Sequence, residues 1–80
     1  MERGIIEQAY SFFHQKLRVY EFSRSESQRD DIEYAISSYV DGMSPELYSL
    51  LSDGDSGFLR SHPSFERDLR DAVSRMEAML

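Results

Sequence analysis

The chain has 80 residues, 40% hydrophobic and 30% charged, which is enough apolar material for one small core and too much for a disordered tail. It contains no cysteine, so disulfide frameworks, thiolate metal sites and cysteine nucleophiles are excluded. A formal net charge of −6 opposes non-specific association with nucleic-acid phosphates or an anionic membrane surface.

From Gly4 to Phe22 the apolar residues Ile5, Ile6, Ala9, Tyr10, Phe12, Phe13, Leu17, Val19, Tyr20 and Phe22 recur with helical spacing. At about 100° per residue nearly all of them fall within an arc of roughly 180°, wider than a single core contact needs. Lys16 projects into that arc, where its stem can lie on apolar surface while the ammonium reaches water. Either this first helix is central and touched from two sides, or part of its face meets another chain. Phe13, Leu17 and Tyr20 belong to the core. Tyr10, Phe12, Val19 and Phe22 sit at or beyond the edges of the arc and are candidate interface residues.

The stretch SRSESQRDD interrupts the pattern, and Ser27 followed three residues later by Asp30 predicts a capped second helix starting about there. Ile32, Ala35, Ile36, Tyr39 and Val40 form its apolar stripe, with Gly42 as a left-handed stop. Tyr34 points the opposite way, which makes it a fifth interface candidate. Asp30, Asp31 and Glu33 give this helix an acidic character and are a candidate patch for a basic partner.

Ser44 and Pro45 mark the start of a short third helix, serine as N-cap and proline at the first helical position. Leu47, Tyr48, Leu50 and Leu51 are expected to face the core, and Gly54 to end the helix. After a turn containing Phe58 and Leu59, Pro63 opens a fourth helix, along which Phe65, Leu69, Ala72, Val73, Met76, Met79 and Leu80 trace one stripe. Glu66/Arg70, Arg67/Asp71 and Asp71/Arg75 are spaced for i,i+4 pairing on its outer face. The expected architecture is a single all-α domain over residues 1–80, a compact short-loop bundle of three main helices and one short helix.

Chemical motifs are weak. Asp53 and Asp55 begin a calcium-loop pattern, but Gly57, Phe58 and Ser64 occupy its other defining positions, so the stretch LSDGDSGFL reads as a turn. GDSG lacks the further glycine and the β-barrels of a chymotrypsin-like serine site. His14 reads as solvated on the first helix and His62 as a cap of the fourth, with no metal-ligand spacing between them. The second and third helices have helix-turn-helix dimensions, yet SPELYSLLSDG offers no Arg or Lys to a phosphate backbone. No basic leader or long apolar run appears, which suggests a soluble cytoplasmic chain. The expectation is a non-enzymatic protein–protein interaction domain without cofactor or metal, contacting a partner protein or a second copy in a homodimer through the first helix. The alternative is an acidic regulator, antitoxin-like or mimicking nucleic acid, that binds a basic partner.

Overall fold

The computed structural model describes residues 2–80 and contains four α-helices and no strand among them: α1 Arg3–Phe22, α2 Glu26–Gly42, α3 Pro45–Ser52 and α4 Phe65–Met79. A single 3-10 turn, His62–Ser64, leads into α4. The all-α bundle of three long helices and one short one is as the periodicity indicates. Helix α1 is central. It packs along α4 and, on another side, against α2, while α3 rests on α4. Its buried residues Ala9, Phe13, Leu17 and Tyr20 meet a core completed by Ile32, Ile36, Val40, Leu47, Leu51, Phe65, Leu69, Ala72, Val73 and Met76.

Helix α2 starts earlier than the Ser27/Asp30 spacing suggests. Its N-cap is Ser25, whose hydroxyl accepts from the Gln28 N–H at 3.3 Å. Gln28 Oε1 in turn accepts from the Ser23 hydroxyl at 2.7 Å, so serine side chains take over backbone bonding where α1 ends. The cap thus lies two residues upstream of the expected one, and the Ser25 N–H donates to the Ser23 hydroxyl at 3.3 Å, so Ser23 stands between Ser25 and the Gln28 side chain. Gly42 is the last residue of α2 and not a left-handed stop. The chain leaves the helix through Met43 in extended conformation and re-enters at Ser44, which accepts from Leu47 N–H at 3.4 Å.

At the far end of α3 two successive residues take positive φ, Asp53 (50°) and Gly54 (85°). Aspartate tolerates that region and glycine favours it, so the turn expected from Gly54 forms with Asp53 as its partner. Asp55 Oδ1 accepts from Gly57 N–H at 2.9 Å, the local bond that makes Asx residues turn formers. Leu50 departs from expectation. It is 51% exposed, because a helix of two turns resting on α4 buries only the Leu47/Leu51 stripe. Met79, at the last turn of α4, is also exposed.

The segment between α3 and α4 is anchored from inside. Phe58 and Leu59 are buried although they lie in a turn, and Leu59 holds φ at 59°, a conformation that costs an L-residue about 1–2 kcal/mol. Asp68 compensates. This carboxylate is 2% exposed, and its Oδ2 accepts both the Leu59 N–H at 3.0 Å and the Ser64 hydroxyl at 3.1 Å. Among the described residues every buried side-chain N or O atom has a partner. On the outer face of α4 the Glu66–Arg70 pair forms, and Arg70 also reaches Glu21 at 3.0 Å. Arg67 turns to Asp68 and Arg75 to the Leu51 carbonyl, so neither makes its expected pair with Asp71.

Replacing Asp68 by alanine strands a buried N–H and a hydroxyl, at a cost of about 1–3 kcal/mol for each group left unpaired. Asp71→Ala, three residues on and exposed, is expected to stay within about 0.5 kcal/mol of the parent. Urea midpoints at constant slope measure both; equal losses would remove Asp68 from this role.

Candidate functional site

The five apolar candidates separate into two groups. Tyr10 and Phe12 belong to the margin of the core, partly buried and packed against it. Phe12 stacks on Tyr39 at 4.5 Å, with Lys16 Nζ 5.3 Å from the centre of its ring, and Tyr10 stacks on His14 at 5.4 Å. Both therefore stand at the margin of the core, as their positions at the edges of the arc indicate, with Tyr39 of α2 stacked on the Phe12 edge of α1. His14 is half-buried against Tyr10 and less solvated than its position suggested. Val19, Phe22 and Tyr34 remain in solvent, at 44%, 81% and 77% exposure.

Val19 and Phe22 share a shallow groove of about 330 Å³ with Arg18, Ser23 and Gln28, at the corner where α1 gives way to α2. Phe22 lies nine positions from Phe13, which on a helix places it almost diametrically opposite the buried face. Serine-capped reversal of the chain immediately afterwards leaves no residue to cover it. Tyr34 stands on the outer face of α2 and is not part of that groove.

On the other side of the α2 N-terminus is a polar cleft of about 500 Å³ lined by Tyr20, Glu26, Arg29, Asp30, His62, Pro63 and Glu66. Here the structure joins residues that the sequence kept apart. Tyr20 packs its ring on Phe65 at 5.2 Å and extends its hydroxyl to donate to Glu33 Oε2 at 3.1 Å. The other face of the Glu33 carboxylate meets His62 Nδ1 at 2.8 Å. Arg29 lies over the Tyr20 ring at 4.6 Å and pairs with Glu66 at 3.6 Å.

Of the acidic candidates, Asp30 and Asp31 are exposed, whereas Glu33 turns inward, its side chain only 16% exposed. Asp30, Glu33 and His62 offer one ligand atom each within 4.8 Å of one another, the one such trio among the described residues. His62 is thus an α2 partner and not the cap of α4: the side chain crosses to Glu33, and no side-chain cap bond precedes the 3-10 turn. Sequence spacing did not disclose this, since 29 residues separate Glu33 from His62. Asp53 and Asp55 stay in their turn, Asp53 4.0 Å from Arg75.

The electrostatics follow the geometry. Burial first, then the charge of Glu33 and the bond donated to it, push the Tyr20 hydroxyl above 10.0, against the opposing pull of Arg29. Tyr20 is therefore a neutral donor at physiological pH. The hydrogen bond to Glu33, then its charge, with smaller help from Asp30 and Glu26, raise the His62 imidazole above 6.5.

Comparison with protein-family models, with curated proteins and with solved structures finds no match to this chain. No described helix is long and apolar enough to cross a membrane.

Because the folded value is the higher one, the His62–Glu33 contact stabilises fully below the unfolded value of 6.5 and is lost as pH rises through the folded value. In metal-free buffer the His62 ring resonances are expected to titrate with a midpoint above 6.5, and Glu33→Gln to bring that midpoint down towards it. An unmoved midpoint in Glu33→Gln would assign the shift to another group.

Proposed function

We propose that the protein is a small non-enzymatic interaction domain acting by protein–protein contact at the α1–α2 corner. The observation that carries this reading is Phe22, 81% exposed at the last residue of α1. Single exposed apolar residues are ordinary. Here Phe22 adjoins Val19 and a groove, with Arg18 beside it, the combination of aromatic anchor and cationic rim that carries binding energy in interfaces. The partner is either another protein or a second copy related by a two-fold axis, in which case each Phe22 enters its mate's groove.

Phe22→Asp tests the reading without disturbing the core. Its unfolding free energy is expected within about 0.5 kcal/mol of the parent, while self-association in sedimentation, or partner retention in affinity capture, is lost. Assembly and capture both unchanged in the folded variant would remove the corner as the contact surface.

A second reading, an acidic regulator occupying a basic surface on another protein, is favoured by one feature of the cleft. Glu26, Asp30 and Glu66 line it against the single guanidinium of Arg29, which is engaged with Tyr20 and Glu66. Of the acidic candidates, Asp30 and Asp31 are the ones free to meet a partner, Glu33 being occupied internally. Complex formation of this kind would weaken steeply between low and high salt, and Asp30→Asn with Asp31→Asn would flatten the dependence. Salt-insensitive binding that requires Phe22 would instead return the apolar corner.

A further inference from the structure

We propose that Asp30, Glu33 and His62 form a binding site for a single divalent transition-metal ion of the zinc type. The donor set is two carboxylates and an imidazole, hard-to-borderline ligands that suit such an ion when no thiolate is at hand. Asp30 and Glu33 stand at i and i+3 on α2, neighbours on one helical edge, and the turn before α4 brings His62 over them. Their ligand atoms already lie within 4.8 Å of one another. Ligands at about 2.0–2.2 Å from a tetrahedral ion sit about 3.4 Å apart, so His62 and Glu33, now 2.8 Å apart, open slightly to admit the ion while Asp30 swings in, movements open to the exposed Asp30 and His62 side chains.

The surroundings of the trio separate it from a chance meeting of surface charges. Glu33 is not free to swing. The buried Tyr20 hydroxyl holds it by a 3.1 Å bond, the outer-sphere hydrogen bond that orients a carboxylate ligand and tunes its affinity. The cleft beside the trio, about 500 Å³, leaves room for water in the remaining coordination positions and has the exposed Glu26 on its wall. Of the arginines beside the trio, Arg29 is engaged by Glu66 and the face of Tyr20 and Arg60 by Asp41. On binding, the ion takes the place of the hydrogen between His62 Nδ1 and Glu33, freeing Nδ1 to act as a ligand. It also clips α2 to the approach of α4 across 29 residues of chain, so the metal stabilises the fold by binding only the native arrangement.

The test is calorimetric titration of the whole metal-stripped chain with zinc ion alone, in a weakly coordinating buffer, with the histidine ring resonances followed in parallel. Expected are one ion per chain, perturbation of His62 and not of His14, and a rise in thermal midpoint that a chelator reverses. His62→Ala and Asp30→Asn should each weaken binding at least tenfold. Tyr20→Phe, which keeps the ring on Phe65, should weaken it about 10- to 100-fold by releasing Glu33. Asp53→Asn should bind as the parent does. Absence of saturable one-to-one binding, full-strength binding by His62→Ala, or perturbation centred on His14 would each overturn the site and leave His62–Glu33 as an ion pair only. The wild-type titration decides this even if a variant folds poorly.

Discussion

Everything in this molecule hangs on the seam between α1 and α4. Eighty residues leave little apolar area to spare, and the two longest stripes, Phe13–Leu17–Tyr20 on one helix and Phe65–Leu69–Val73–Met76 on the other, have to find each other for any net stability to remain. Chain order makes this a long-range contact between the first helix and the last. Helices α2 and α3 then close its flanks, α2 on α1 and α3 on α4. At one end of the seam the Tyr20 ring lies on Phe65 while its hydroxyl leaves the core for Glu33, so the packing that stabilises the bundle also orients the carboxylate at the centre of the polar cleft.

The seam imposes a second demand, that the chain reach the start of α4 from the end of α3 without exposing its own apolar residues. Phe58 and Leu59 are pulled inside, and burying a turn strands backbone donors unless something accepts from them. Asp68 is that acceptor. A carboxylate one turn into α4 is favoured by the positive end of the helix as well as by the two bonds it receives, which is why a charged group is tolerated at 2% exposure. The strain of Leu59 and the burial of Asp68 are thus one arrangement. It also fixes the segment that presents His62 to α2.

Periodicity in the sequence contained the helices, the stripes and the proline-marked starts, because these are local properties of a 3.6-residue repeat. It misplaced the start of α2 because two serine boxes overlap in SRSESQRDD, and only backbone geometry separates Ser25 from Ser27 as the cap. It set Leu50 inside because wheel position says which face a residue lies on and nothing about whether a neighbour covers that face. Asp68 was hidden among acidic residues of similar spacing on an amphipathic helix; its one distinguishing sign is that it lies between Phe65 and Leu69 on the buried edge of the stripe. The cleft was legible in part. The acidity around Asp30 was evident, but the meeting of Tyr20, Glu33 and His62 comes from tertiary packing and leaves no mark in spacing.

The width of the apolar arc on α1 posed the question of what covers it, and the fold answers in three parts. The strip through Phe13, Leu17 and Tyr20 is taken by the core, and the edge at Phe12 is taken by Tyr39 of α2, with Lys16 lying across the ring. Val19 and Phe22 remain, and their exposure follows from where α1 ends. Helix α2 approaches from the Phe12 side and can shield residues along its own length, but the three-residue reversal Ser23–Ser25 draws the chain back directly beneath Phe22. The short polar connection turns both serine side chains to the start of α2, while α1 is closed by the Ser23 backbone N–H on the Tyr20 carbonyl. Tight capping at the start of α2 and an uncovered aromatic ring thus share one corner, and among the described residues the surplus apolar surface of α1 comes down to Val19 and Phe22 there and Ile5 near its other end.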